Sequence, residues 1–118
     1  MNREKGRDIM VSSTENTIRL VVVDDHILFT EGTVLLLSSE PSITVVATAT
    51  SGNECLKIVK TEHPDVVLLD INLPDYCGTD LIEKIKAIDV NVSIIMLTGQ
   101  HPAGYVNASF KKGAQGFL

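Results

Sequence analysis

Short runs of apolar, mostly β-branched residues recur along the chain, and stretches with helical spacing separate them. The first three runs cover residues 18–23, 43–48 and 65–69, and two more follow at 92–97 and 114–118. Continuous apolar runs of this length are typical of strands buried on both faces of a parallel sheet. The repeated alternation of strand and helix therefore predicts an α/β fold with a doubly wound, five-stranded parallel sheet.

The stretches between the strands predict four helices, because apolar residues recur there at steps of three and four. The second helix is expected over about 52–62, where His63-Pro64 would stop it, the third over 79–87 and the fourth over 102–112. The inner face predicted for the first helix consists of Phe29, Gly32, Thr33, Leu36 and Leu37. The inner face predicted for the third helix consists of Leu81, Ile82 and Ile85.

Length and composition indicate one small globular domain. The chain has 118 residues, 44% of them hydrophobic, which is enough for one core. Residues 1–17 are polar and without periodicity, and we interpret them as a flexible leader before a domain at 18–118. The net charge of -5 argues against DNA or RNA binding by this segment itself, and no apolar run is long enough to predict a membrane span.

The two cysteines, Cys55 and Cys77, are far apart and outside any CxxC spacing. We interpret them as reduced thiols, which are typical of a cytoplasmic protein. The polar start of the chain also lacks the apolar core of a signal peptide. The sequence therefore favours a cytoplasmic location.

Polar side chains follow three of the predicted strands. Asp24 and Asp25 come after the first, Asp70 after the third and Thr98 after the fourth. Ligands of doubly wound sheets bind beyond the carboxyl ends of the strands, so these residues are expected at one edge. Two unit charges about 4 Å apart repel by roughly 4 kcal/mol at an effective dielectric constant of 20, and Mg²⁺ with oxygen ligands would relieve that repulsion. Such a site suits phosphoryl transfer to a carboxylate, with the Thr98 hydroxyl bonding a phosphoryl oxygen.

Other interpretations of individual residues remain open from the sequence. Asp25 taken alone could equally cap the following helix. We expect His26 not to be a metal ligand, because Mg²⁺ prefers oxygen. Asp75 and Asp80 are interpreted as solvated acids of a loop and a helix start. The joint placement of the acids, rather than any single residue, carries the prediction of a site.

Residues 18–118 resemble the receiver domain of bacterial two-component response regulators, which has the flavodoxin/CheY-like fold. The segment VVVDDH (21–26) is similar to the acidic pair of that family, PDVVLLDINLP (64–74) to its phosphoacceptor strand and IIMLTG (94–99) to its Thr/Ser strand. GAQGFL (113–118) resembles the start of its last strand, and DDHILFTEG (24–32) is similar to the NarL/FixJ-type subgroup.

The resemblance implies a role for each matching residue. Asp70 would be the phosphoacceptor, receiving the phosphoryl group from a sensor histidine kinase. Asp24, Asp25 and Asp70 would hold Mg²⁺ together with the backbone carbonyl of Asn72. Thr98 would bond the phosphoryl group, and Phe117 would be the switch aromatic whose rotation follows Thr98. The module would then regulate transcription through a DNA-binding output domain that this chain does not include.

The sequence departs from the family pattern at its carboxyl end. The active-site Lys and the fifth helix of the family would both follow Leu118, so the domain is expected to be C-terminally truncated here. Without that Lys, phosphorylation or its signalling effect is expected to be impaired. An uncovered sheet edge invites pairing, and we therefore predict a homodimer or a rearranged carboxyl end.

Two function classes compete with the phosphoacceptor switch. One is a pseudo-receiver, an interaction module that is not phosphorylated. The other is a small phosphohydrolase with an aspartate nucleophile, which needs an acid two residues beyond the nucleophile, where this chain has Asn72. A flavin-binding module is disfavoured because no phosphate-cradling loop follows the first strand.

Overall fold

The computed structural model describes residues 17–70, 72–97 and 113–117. Five strands form one parallel sheet: β1 (Ile18–Val23), β2 (Ile43–Ala49), β3 (Val66–Asp70), β4 (Ser93–Leu97) and β5 (Gly116–Phe117). The strand order is β2-β1-β3-β4-β5. The predicted five-stranded parallel sheet is therefore confirmed, and the order changes direction beside β1, as a doubly wound sheet requires.

Within the described residues, three helices connect the first four strands: α1 (Ile27–Leu37), α2 (Gly52–Glu62) and α3 (Gly78–Ile88). Ser51 caps α2 by accepting a hydrogen bond from the backbone N–H of Glu54, and the helix ends at His63, whose φ of 49° is left-handed. The inner face predicted for α3 is also confirmed, since Leu81, Ile82 and Ile85 are fully buried. The helix predicted over 102–112 lies outside the described residues, as do residues 1–16 of the predicted leader.

The two faces of the sheet carry cores of different size. Val21, Val23, Val67 and Leu69 point to the larger cluster, where α2 and α3 pack. Leu20, Val22 and Leu68 alternate with them and form a smaller cluster, which Leu37 of α1 contacts. Since successive strand residues face opposite sides, α1 lies on the face opposite to α2 and α3.

The buried stripe predicted for α1 is wrong. Phe29 is 48% exposed and Leu36 is 77% exposed, whereas the buried residue of this helix is Thr30. The α1 helix itself carries apolar side chains on all of its faces, and several of them are exposed; Leu28, for example, is 85% exposed. Spacing alone therefore could not select the face that would be covered.

None of the helices in the described ranges is long and apolar enough to cross a membrane. Cys55 is buried, Cys77 is exposed, and neither forms a disulfide, as the sequence predicted.

The arrangement of strands places the carboxyl ends of β1 and β3 side by side, because Val23 pairs with Leu69 in parallel register.

Candidate functional site

An acidic cluster lies at the carboxyl ends of β1 and β3. Asp24 and Asp25 directly follow β1, and Asp70 is the last residue of β3. The structure brings all three carboxylates together with His26, and one ligand atom from each of the four lies within 4.8 Å of the others. The expected convergence of the acids therefore follows from the register of two adjacent strands.

The acids differ in their exposure and in their hydrogen bonds. The side chain of Asp24 is 7% exposed and that of Asp70 is 13% exposed, whereas Asp25 is more open to solvent. Asp24 Oδ1 accepts a hydrogen bond of 2.8 Å from the backbone N–H of His26. Asp70 Oδ1 accepts one of 3.3 Å from the backbone N–H of Asn72. Both carboxylates are thus oriented by the residue two positions further along the chain.

Asp25 does not cap the helix that follows it. The N-cap of α1 is His26, and no side chain makes a capping hydrogen bond there. The Asp25 carboxylate instead lies 3.1 Å from Nδ1 of His26. Of the two roles left open by the sequence, the structure therefore places Asp25 in the cluster rather than at the helix cap.

His26 is a member of this cluster that the sequence did not identify. Its Nδ1 atom lies 2.8 Å from Asp24 Oδ1 and 3.9 Å from Asp70 Oδ2, while the ring is 71% exposed. The hydrogen bond to Asp24 and the charges of Asp25 and Asp24 raise the pKa of His26. Its position directly after two acids at a strand end was the available signal.

The electrostatics of the cluster favour a cation. Burial raises the pKa of Asp70, the hydrogen bond from Asn72 opposes this, and the charges of Asp24 and Asp25 add to the increase. A divalent cation that prefers hard oxygen ligands would offset this concentration of charge. Asp24, Asp25 and Asp70 therefore form a donor set that fits Mg²⁺.

The segment after Asp70 forms a closed loop beside the acids. Asn72 and Cys77 make an isolated antiparallel bridge at its base, and Leu73 is buried in the larger core. A cleft lined by Asp25 and residues 72–77 lies between this loop and the end of β1. The loop thus forms one wall of the candidate site.

Asp75 is an exposed loop acid, as the sequence predicted, but it also makes contacts that the sequence did not predict. Its carboxylate accepts hydrogen bonds from the backbone N–H groups of Gly52, at 2.7 Å, and of Asn53, at 3.0 Å. Both donors belong to the first turn of α2, whose N–H groups have no partner within the helix. Because this contact joins segments more than 20 residues apart, no local pattern could reveal it.

Thr98 and Phe117 are the remaining residues that the sequence predicts at this site. Thr98 lies outside the described residues, and it follows Leu97, which pairs with Asp70. Phe117 lies in β5 and pairs with Met96 of β4, so its backbone is placed in the sheet.

On the α1 side, a largely apolar groove lined by Phe29, Leu36 and Leu97 reaches Asp70.

Comparison with known proteins gives a consistent picture. The family model described as the response regulator receiver domain matches residues 20–118. The chain is 36% identical over 104 residues to the transcriptional regulatory protein DegU of Brevibacillus brevis, a match that covers 88% of this chain and 44% of DegU. It spans about half the length of the curated relatives that it matches.

Solved structures show the same fold. The signal receiver domain of the putative response regulator NarL from Mycobacterium tuberculosis matches with a TM-score of 0.82 and 33% identity, covering 87% of this chain and 83% of that one. A chain of the CheX-CheY-BeF3-Mg²⁺ complex from Borrelia burgdorferi also matches, with a TM-score of 0.80 and 25% identity, covering 86% of this chain and 76% of that one.

Proposed function

We propose that Asp70 of this chain, which belongs to the response regulator receiver domain family, accepts a phosphoryl group in a Mg²⁺-dependent reaction. Membership of that family makes the chain a two-component signalling module rather than a classical enzyme. The observation that carries the proposal is the convergence of Asp24, Asp25 and Asp70 at one edge of the sheet. The resemblance assigns the phosphoacceptor role to the residue at the end of β3, which is Asp70.

Asp24, Asp25 and Asp70, with the backbone carbonyl of Asn72, would hold the Mg²⁺ ion. When bound, Mg²⁺ supplies positive charge that offsets the charge of the phosphoryl oxygens. The three carboxylates fit this role because their mutual repulsion falls when a cation binds. The complex of the Borrelia burgdorferi relative with BeF3 and Mg²⁺ supports the assignment by analogy.

Asp70 would act as the nucleophile through one carboxylate oxygen. That oxygen forms a bond to phosphorus while the bond from phosphorus to the donor, a phosphohistidine nitrogen or an acyl phosphate oxygen, breaks. The hydrogen bond from the Asn72 N–H holds the Asp70 carboxylate in one orientation. The attacking carboxylate must be ionised. The pKa of Asp70 is raised, and the positive charge of a bound Mg²⁺ would lower it and favour the ionised form.

Thr98 and Phe117 would carry the change to the surface. Thr98 would bond the phosphoryl group and move inward, and Phe117 would fill the space that it leaves. The pairing of Leu97 with Asp70 supports this, because it places the carboxyl end of β4 beside the phosphoacceptor. Phe at position 117 has no hydroxyl, so the switch would act by packing alone.

The partners of the intact regulator follow from the same family. We expect a sensor histidine kinase as the phosphoryl donor, a homodimer as an assembly state and DNA binding through an output domain outside this chain, in the cytoplasm. DegU, a transcriptional regulatory protein about twice as long as the matched segment, supports that arrangement. The -5 charge of this chain is consistent with DNA contacts that lie elsewhere.

The test is phosphorylation by acetyl phosphate. The chain, incubated with acetyl phosphate and Mg²⁺, should gain one phosphate-sized adduct in its intact mass, and chelation of Mg²⁺ should prevent it. Asp70→Asn should gain none, whereas the matched control Asp80→Asn, an exposed acid of α3, should behave like the wild type. The lack of an adduct, even in a chain extended through the family's last helix, would favour the pseudo-receiver, and steady hydrolysis of a phosphate monoester would favour the phosphohydrolase.

A further inference from the structure

The carboxylate of Asp75 joins the tip of the loop at 72–77 to the start of α2. Each of its two oxygens accepts one backbone hydrogen bond, from Gly52 and from Asn53. Desolvation opposes ionisation of Asp75, but these bonds outweigh it and lower the pKa of its carboxyl group. An ionised carboxylate at a helix N-terminus is also favoured by the helix dipole.

The neighbouring Tyr76 also contacts the start of α2. A Cβ atom at position 52 would lie 2.2 Å from Cδ2 of the Tyr76 ring, so the ring packs directly on the glycine. The Tyr76 hydroxyl reaches Asn53 Oδ1 at 3.5 Å. We call the contact among Gly52, Asn53, Asp75 and Tyr76 the loop latch.

The loop latch joins the segments that follow the two strands flanking β1. In the sheet, β1 lies between β2 and β3. The loop follows β3 and α2 follows β2, so the latch joins elements on either side of β1, whose carboxyl end carries Asp24 and Asp25. Asp25 lines the same cleft as the loop.

Other contacts also hold the loop. The Asn72–Cys77 bridge closes its base, Leu73 is buried in the core, and Tyr76 is partly buried against the same core, with Nζ of Lys84 5.9 Å from its ring centroid. Asp75 adds the hydrogen bonds that join the loop to the backbone of α2. Asp75 therefore contributes to the placement of the loop relative to the end of β1.

We propose that Asp75 is a positioning residue, which through the loop latch holds the Asn72 backbone in place beside the carboxylates and so sets the affinity of the site for Mg²⁺. This inference rests on the proposed function, since it concerns the same site. Asp75 itself is not among the residues that would hold the metal or accept the phosphoryl group. Its effect is therefore expected on Mg²⁺ affinity and not on the chemistry of Asp70 at saturating Mg²⁺.

The test is a calorimetric titration of the folded chain with Mg²⁺ alone. Residues that orient metal ligands typically change metal affinity by about tenfold or more, so Asp75→Ala should bind Mg²⁺ about tenfold more weakly. Asp75→Asn should be intermediate, because its amide oxygen can still accept from Gly52 while its NH₂ group cannot accept from Asn53. Phosphorylation of Asp75→Ala by acetyl phosphate should slow at low Mg²⁺ and return to the wild-type rate at saturation.

The matched control is Ser51→Ala. It removes the other cap of α2, the hydrogen bond from Glu54 to the Ser51 hydroxyl, but leaves the loop latch intact. Ser51→Ala should lower the melting temperature and leave Mg²⁺ affinity unchanged, which separates loss of helix stability from loss of positioning. If Asp75→Ala does not fold, Asp75→Asn decides the outcome.

Two failures have different meanings. If the wild type binds Mg²⁺ and the Asp75 variants bind it equally well, the positioning role is wrong and the proposed function stands. If the wild type neither binds Mg²⁺ nor accepts phosphate, the proposed function is wrong and the role of Asp75 falls with it. A slower reaction of Asp75→Ala at saturating Mg²⁺ would also contradict a pure positioning role.

Discussion

Nδ1 of His26 lies 2.8 Å from Oδ1 of Asp24, and the same carboxylate oxygen accepts the backbone N–H of His26. The ring and the backbone of one residue therefore contact one buried acid. This geometry places the His26 imidazole, a group that can carry a positive charge, within the acidic cluster even without a metal ion. The electrostatic consequences can be measured.

His26→Gln should destabilise the metal-free protein more at pH 6 than at pH 9. The pKa of His26 is raised in the folded state, so its contribution to stability is fully present below its ordinary pKa of 6.5 and is lost as pH rises through the raised value. Thermal melts in chelator at both pH values measure this. His63→Gln, an exposed histidine at the end of α2, serves as the control, and an equal effect of His26→Gln at both pH values would contradict the prediction.

Asp70→Asn should raise the melting temperature of the metal-free protein at pH 7. Burial and the nearby acids raise the pKa of Asp70, so its ionised form costs stability, and this cost appears as pH rises through the folded pKa. The gain should be a few degrees at pH 7 and should shrink as pH falls through the raised pKa of Asp70, because the wild-type carboxyl is then protonated. Calorimetry of wild type, Asp70→Asn and the exposed control Asp80→Asn tests this, and a destabilised Asp70→Asn at pH 7 would refute it.

The thiol of Cys55 should make stability fall at alkaline pH. Burial, with a further contribution from the charge of Asp75, raises the pKa of Cys55 from 9.0 to about 12. Between these values the unfolded chain has lost the proton and the folded chain keeps it, so the free energy of unfolding falls by about 1.4 kcal/mol per pH unit. Urea denaturation at pH 8 and pH 10 should show a smaller loss for Cys55→Ala.

The same burial predicts selective reactivity of the two cysteines. Iodoacetamide at pH 8 should label the exposed Cys77 in the native protein and reach Cys55 only after unfolding. Peptide mass spectrometry identifies the labelled residue. Equal labelling of both cysteines under native conditions would show that Cys55 is not protected.

Gly52→Ala should destabilise the protein by about 1–3 kcal/mol, because the new methyl group overlaps the Tyr76 ring. The matched variant is Tyr76→Ala, which removes the ring that the methyl group would meet. Since the two sites are in contact, their effects should not add, and Gly52→Ala should cost much less in the Tyr76→Ala background. Equal costs in both backgrounds, measured by urea denaturation, would exclude this clash as the cause.

Local patterns in the sequence determined the strands, the second helix and the acids at the strand ends. The run at 18–23 became β1 without change, and the helix predicted over 52–62 became α2 with the same bounds. These predictions held because apolar periodicity and a histidine-proline stop act over a few residues. The convergence of Asp24 and Asp70 also followed, since parallel strands bring their carboxyl ends to one edge.

Only the tertiary structure decided which groups meet across the sheet. The covered face of α1, the contact of His26 with the carboxylates and the bonds from Asp75 to α2 were all missed or misread. Each depends on where distant segments lie in space: a helix that is apolar all round has no face marked for burial, and a carboxylate in a loop bonds whichever N–H groups the fold presents to it. The sequence determines the elements and their order, while the packing of those elements selects the contacts between them.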